Sequence, residues 1–303
     1  MLLALRIEVD SLAAARDITP RLLGLLRDHD AKASFFFAMG PDRSGRTGGP
    51  LFEVGESRQQ IRLNRQLNGP RGAARWYGSL IPAPELVKHA ADAIRAVRDA
   101  GFETGLRGWD RVNWIKCIAG AEASWVRGEL EAACHAYEAV LGEAPHAIAL
   151  PGWRVNRAAL RLEQQLGLHY ASDTRGKHPF LPVIEGEPVR VLQLPTTLPT
   201  LSELIGAGNR DGTAAVDDLL AMTERIPLTG HVFTIQAHGD GGKRLPLLQR
   251  LLAGWREQGL ELASLQRLSE ILDPAKLPWH TVELRAWPGH GGLLALQGEA
   301  FPG

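Results

Sequence analysis

Short apolar runs alternate with amphipathic stretches along nearly the whole chain, and this alternation limits the fold more than any other feature. Strand-like runs fall at 3–9 (LALRIEV), 33–38, 102–106, 146–150, 168–172, 190–194, 231–237 and 260–263. Between them, helix-like patterns cover 19–29, 84–100, 122–141, 156–166, 214–225, 244–258 and 265–272. Parallel neighbours cannot be joined by a tight hairpin and need a crossover, which a helix supplies, so this order predicts an α/β fold with a largely parallel sheet. A chain of 303 residues, 45% hydrophobic, is long enough to close such units into one (β/α) barrel over 1–273. The remaining 274–303, with WPGHGG, is expected to be an irregular tail packed on the barrel exterior.

One stretch interrupts the rhythm. Residues 41–80 are rich in Gly, Pro and Arg and too long for an ordinary connection. Arginines 43, 46, 58, 62, 65, 71 and 75 against Asp42, Glu53 and Glu56 give seven minus three, a local charge of +4. Either a solvated surface insertion or a contact for anionic head groups accounts for it. Over the whole chain Lys plus Arg equals Asp plus Glu, 34 each, so no global field draws it to nucleic acid. Cys117 and Cys134 are too few for a disulfide framework, and Arg6 and Glu8 come too early for a signal peptide. No run approaches the roughly eighteen apolar residues of a membrane span. A cytoplasmic protein is expected.

In parallel α/β folds the working groups gather where strands end. Here the first strand ends with Glu8 and Asp10, which period-two alternation points to one face. The third runs into GLRGWDR (105–111) with Arg107 and Arg111, the fourth into PGWR with Arg154, and the fifth into SDTRG with Asp173 and Arg175. A late strand ends TIQAHGD with Gln236 and His238. Tryptophans 76, 109, 114 and 153 fall near the same mouth, as sugar platforms or as packing. Other chemistry finds no support: there is no G-x-S-x-G elbow, GAGNRDG (206–212) has the wrong spacing for a dinucleotide loop, and GDGGKR lacks the rest of a phosphate loop.

These segments, together with FFFAMGPDRSGR and QLPTTLPTLSELIG, follow one another as they do in the NodB-type polysaccharide deacetylases, which the chain resembles over nearly its whole length. Within them it is most similar to the ArnD-type deformylases, which remove a formyl group from an undecaprenyl-phosphate-linked 4-amino-4-deoxy-arabinose precursor. The resemblance implies a deformed (β/α) barrel of the NodB type and a metal site made from the second Asp of an Asp-x-Asp pair and two histidines of a His-x-x-x-His segment. Position by position, the catalytic base falls on Glu8, the metal-binding Asp on Asp10, the two histidines on Arg107 and Arg111, and the late-strand histidine on Gln236, with His238 two residues on. Arg154, Asp173 and Arg175 match segments that line the family's site.

A guanidinium has five donors and no acceptor, so it cannot ligate a cation. No metal or other cofactor is therefore expected, and two arginines supply the +2 charge that would otherwise compensate Glu8 and Asp10. Two functions remain open. One is a non-catalytic or regulatory binder of an anionic amino sugar, including a lipid-phosphate-linked one, with peripheral membrane contact through 41–80 and the capacity to pair with an active paralogue. Its binding residues would be Asp10, Arg107, Arg111, Arg154, Asp173, Arg175 and Gln236. The other is an active hydrolase of an N-formyl or N-acetyl group, with Glu8 as base, the arginines stabilising an oxyanion and His238 as acid.

Overall fold

The computed structural model describes residues 1–46, 69–70, 72–206, 211–288, 290 and 292–302. Arg58, Arg62, Arg65 and Arg71 of the basic insertion, and part of GAGNRDG, lie outside the described residues. Twelve strands occur among those described: β1 (Leu2–Val9), β2 (Ser34–Phe37), β3 (Glu103–Leu106), β4 (Ala147–Ile148), β5 (Tyr170–Ala171), β6 (Leu181–Ile184), β7 (Glu187–Pro188), β8 (Leu192–Gln193), β9 (His231–Gln236), β10 (Glu261–Ala263), β11 (Trp279–Ala286) and β12 (Leu293–Ala300).

The larger sheet is parallel throughout, running β10-β1-β2-β3-β4-β5-β8 with β9 also on β1. β1 is its centre. β9 pairs with Leu3–Glu8 along one edge, while the other edge is shared by β10 at Leu2–Ala4 and β2 at Arg6–Val9. Past β8 the chain reaches back to β9, where Thr197 N and Leu198 N donate to Val232 O at 3.1 and 3.3 Å. The sheet thus curls into the expected barrel form. Helices cover its outside, including Thr19–Asp28, Leu86–Asp99, Ala123–Leu141 and Leu245–Glu257. Their apolar faces bury Leu22, Leu26, Ile94, Val97, Val126, Leu130, Leu248 and Leu252 against the strands. That burial is the main force closing the barrel.

Strand spacing inside the barrel depends on one small residue. Gly105 of β3 lies opposite Phe36 of β2, and a Cβ there would come within 2.6 Å of the phenyl ring. Phe36 therefore fills the space that a side chain at 105 would need, and the two positions are chosen together.

The expectation for the tail is overturned. Residues 274–303 are not irregular: β11 and β12 form an antiparallel hairpin, and β11 pairs in parallel with β6 in a second sheet of order β12-β11-β6-β7. The alternation of His280, Val282 and Leu284 with Thr281, Glu283 and Arg285 is a half-buried strand pattern that Gly and Pro nearby obscured. β6 and β7 form a tight hairpin whose turn, Glu185–Gly186, has both φ values positive, 50° and 78°. Three short helices also went unread: Arg111–Cys117, Leu201–Gly206 and Ala237–Asp240. Each begins just beyond a strand or the mouth-lining segment after it.

Candidate functional site

Arg6 and Glu8 of β1 and Asp10 just beyond it share a face and point into the barrel mouth. Arg107 arrives from the end of β3, where Gly108, at φ 92°, turns the chain. Asp110 then starts the helix Arg111–Cys117 by accepting from Val112 N and Asn113 N at 3.0 and 3.1 Å. Arg111 is the first residue of that helix, so the turn aims both guanidinium groups back at β1.

The result is a ladder of alternating charge. Arg6 Nη2 meets Glu8 Oε1 at 3.0 Å, Arg107 Nη2 meets Glu8 Oε2 at 2.8 Å, Arg107 Nε donates to Asp10 Oδ1 at 2.5 Å, and Arg111 Nε meets Asp10 Oδ2 at 3.0 Å. Three cations against two anions leave the ladder at +1. Its inner end is closed, since Arg6 is fully buried and Arg107 is 2% exposed. Its outer end opens to solvent, with the Arg111 and Asp10 side chains 28% and 21% exposed. Arg107 Nη1 also donates to Ala149 O at 3.0 Å, and Arg6 Nη1 to the hydroxyls of Thr196 and Thr234, each at 3.2 Å.

Burial sets the titration of these groups, and the neighbouring charges modify it. Burial pulls the Arg6 guanidinium down to about 10, with Glu8 opposing and Arg107 adding to the shift. Burial would raise the Asp10 carboxyl, but the charges of Arg107 and Arg111 more than offset it and hold it below the usual carboxylate range. For Arg107, burial acts to lower the pKa, and Asp10 and Glu8 reverse the sign. Both Glu8 oxygens are held in ion pairs with arginines, Oε1 by Arg6 and Oε2 by Arg107.

A second cluster adjoins the first. Arg6 and Arg175 both lie over the Trp153 ring, 5.2 and 5.0 Å from its centroid. Arg175 Nη2 donates to Glu203 Oε2 at 3.2 Å, and His290 Nε2 meets Glu203 Oε1 at 2.6 Å. Asp173 lies deeper, accepting from Leu150 N through Oδ1. Beside it stands Glu163 of the helix Arg157–Gln165, fully buried. Neither Glu163 oxygen nor Asp173 Oδ2 meets a donor, which leaves the two carboxyls to share a proton.

Several expected site residues are placed differently from their reading in sequence. β9 ends at Gln236, so His238 does not continue on the strand face. The helical turn Ala237–Asp240 carries it to a groove lined by Asp17, Ile18, Arg21, Gly69, Gly242 and Lys243, where Nε2 lies 3.3 Å from Gly69 O. Gln236 faces the mouth, level with Glu8, but its Oε1 accepts from Ser202 Oγ at 3.0 Å. Arg154 donates to Ile115 O at 2.9 Å. Trp114 and Trp153 are buried, Trp109 packs on Gly40, and Trp76 is exposed on the insertion. Arg6, Glu163, Glu203, Trp287 and His290 were not read as site residues. Only Arg6 had a local sign, a charge in an apolar strand in phase with Glu8 and Asp10.

The residues present do not fit the divalent ion that the resemblance implies. Glu8 Oε2 and Asp10 Oδ1 are both held by Arg107. Arginine offers an ion no lone pair, and no group of three or more His, Cys, Asp or Glu capable of holding a metal occurs among the described residues.

The Glu163–Asp173 pair generates a prediction. Burial raises Asp173 to about 6 and Glu163 well above its ordinary value. The folded protein therefore keeps protons that the unfolded chain has released, so stability falls as pH rises from the unfolded carboxylate value through the folded ones. Glu163→Gln supplies a permanent N–H donor to Asp173 and removes that penalty. It should raise stability by about 1–2 kcal/mol near pH 8 and change little near pH 4, as read from urea unfolding at the two pH values. An equal effect at both would contradict the shared proton.

Comparison with known proteins agrees with this fold. The polysaccharide deacetylase family matches residues 7–171. A probable 4-deoxy-4-formamido-L-arabinose-phosphoundecaprenol deformylase, ArnD, of Shewanella sediminis is 30% identical over 287 residues, 92% of this chain and 88% of its own. Among solved structures, a polysaccharide-deacetylase-type protein from Mycobacterium smegmatis superposes with a TM-score of 0.62 at 16% identity, covering 94% of each chain. A CE4-family pseudoenzyme from Bacillus anthracis gives 0.51 at 15% identity, over 93% of this chain and 69% of that one. With the strand order, the mouth and the matched segments in agreement, the chain belongs to the polysaccharide deacetylase family.

Proposed function

We propose that this chain is a metal-free, non-catalytic or regulatory member of its family that binds an anionic amino sugar, including one carried on a lipid phosphate. The observation that carries the reading is Arg107. It is buried between Glu8 and Asp10 and holds the oxygens that a metal or a proton-abstracting base would need. Metal-assisted hydrolysis depends on an open coordination site and an activated water, and a guanidinium provides neither.

Arg111 is the group that would meet a ligand. Its Nε holds Asp10, and its terminal nitrogens engage no acceptor among the described residues. A phosphate or carboxylate at the mouth would therefore find a half-exposed guanidinium already oriented by an ion pair, at the positive end of the ladder. The Shewanella relative is named for a formamido-arabinose linked to phosphoundecaprenol, which is an amino sugar of this charge class. A lipid-linked ligand also fits the basic insertion, where Trp76 and Leu80 are exposed beside Arg75. Arg43 ties this segment to the mouth through Asp110 at 2.9 Å.

Three outcomes are expected. After incubation with zinc and manganese and desalting, elemental analysis finds well under one ion per chain, whereas Arg107→His/Arg111→His retains about one; a stoichiometric ion on the parent, or formate release from an N-formyl amino sugar, would overturn the non-catalytic reading. In calorimetric titration with glucosamine 1-phosphate, Arg111→Gln weakens binding by about ten-fold or more, while uncharged glucosamine is bound poorly by both forms. Arg111→Gln is preferred to an Arg107 variant, because stripping the partner from buried Glu8 would itself cost about 3–5 kcal/mol. In vesicle sedimentation, binding rises with the phosphatidylglycerol fraction and falls with salt; binding indifferent to anionic lipid would remove the membrane contact.

A further inference from the structure

Arg154 and Arg175 leave strand ends towards the mouth, yet neither opens onto it, because the tip of the C-terminal hairpin lies over both. The Arg175 guanidinium lies over the Trp287 ring, 4.9 Å from its centroid, as well as over that of Trp153. His290 bonds Glu203, the ion-pair partner of Arg175, and meets Trp153 edge-on at 5.5 Å. Gly292, at φ 77°, packs so closely that a Cβ would fall 2.7 Å from an Arg154 terminal nitrogen. One short tip thus makes specific contacts with charged groups from three separate segments.

What lies beneath the tip is not a finished structural pair. Arg175 is 3% exposed and uses Nη2 on Glu203, while its buried Nε and Nη1 reach no acceptor. The faces of two indoles are attractive to a cation but are poor hydrogen-bond acceptors, so they leave those donors unsatisfied. Buried donors of a charged group are seldom left so unless something else takes them.

We propose that Arg175 is the centre of a second, covered oxyanion site in the mouth, suited to a phosphate or carboxylate, and that the hairpin tip is the cover which such a group displaces. The stem of the hairpin need not move. It is pinned to the same loop by backbone bonds from Arg175 N to Ala295 O at 2.9 Å and from Gln297 N to Arg175 O at 2.8 Å. Only Trp287, His290 and Gly292 have to lift, and among the described residues their seat consists of ring, ion-pair and close packing contacts. The arriving oxyanion would accept from Nε and Nη1 of Arg175. Arg154 would add positive charge nearby, and Trp287 would turn from cover into wall. This extends the anion-binding reading of the mouth to a second group on the same ligand, or to a separate ligand.

The test uses the full chain and inorganic phosphate. A cover that is closed most of the time reduces apparent affinity by the fraction open, so Trp287→Ala/His290→Ala should bind phosphate about ten-fold more tightly than the parent. Adding Arg175→Gln should abolish that gain, whereas adding Arg111→Gln should not. A gain lost with Arg111→Gln but kept with Arg175→Gln would overturn the covered site and leave the outer one standing. Unchanged or weaker phosphate binding in the double variant would also overturn it, since the tip would then be part of the site or irrelevant to it. In the unmodified protein, phosphate should speed amide exchange at Trp287, His290 and Gly292 and leave the β11 and β12 stem protected. Exchange at the tip that stays the same or slows would contradict displacement.

Discussion

The whole mouth depends on the pairing of one buried cation, Arg107, with two carboxylates on a single strand. Taking a guanidinium out of water is costly, and the cost is recovered only where its donors are met in good geometry. Glu8, Asp10 and the Ala149 carbonyl do that from three directions. The pairing fixes β3 and the end of β4 against β1 at the level of the mouth. It also fixes the helix Arg111–Cys117, whose first residue completes the ladder. A small or neutral side chain at 107 would leave two carboxylates facing one another in a low-dielectric pocket. The same interaction that holds the mouth together also occupies one oxygen each of Glu8 and Asp10.

The frame was legible because periodicity needs no long-range information. Each run of the parallel sheet announced itself, and the amphipathic stretches between them could only be crossovers. The carboxylates of β1 and the arginines after β3 could be placed at the mouth from strand parity and strand ends alone. His238 was misplaced for a local reason, since strand parity holds only while the strand continues, and the chain turns helical at Ala237. The hairpin tail was obscured by Gly and Pro at its tip, although β11 carries alternation over 280–285.

Other parts of the site had no local signature. Glu163 falls in helical phase with buried Ala159 and Leu160, but nothing in RAALRLEQQ shows that a charged residue there stays inside while Gln164 and Gln165 are solvated. The contact between Trp287 and Arg175 joins positions more than a hundred residues apart, through a sheet the sequence reading did not contain. Buried carboxyl pairs and cation–indole stacks are properties of packing, visible only once the elements have been set against each other. The column from Arg6 through Trp153 and Arg175 to Trp287 is such a case, linking the innermost charge of the barrel with nearly the last strand of the chain.

The central position of β1 has a consequence for how the chain is made. β1 precedes every other strand of the barrel and must be enclosed on both edges, yet the partners for one edge, β9 and its closing neighbours, come only after residue 230. Until then Arg6, Glu8 and Asp10 stand on an open strand, and the apolar residues between them lack half their cover. Contacts of such long sequence separation form slowly, and an exposed apolar edge in the interval invites association with other chains. The interspersed charges of β1 suit that interval as well as the finished protein: a strand carrying Arg6, Glu8 and Asp10 is a poor template for pairing with another copy of itself. The charge ladder can thus be seen as a safeguard during synthesis that becomes the floor of the mouth once the barrel closes.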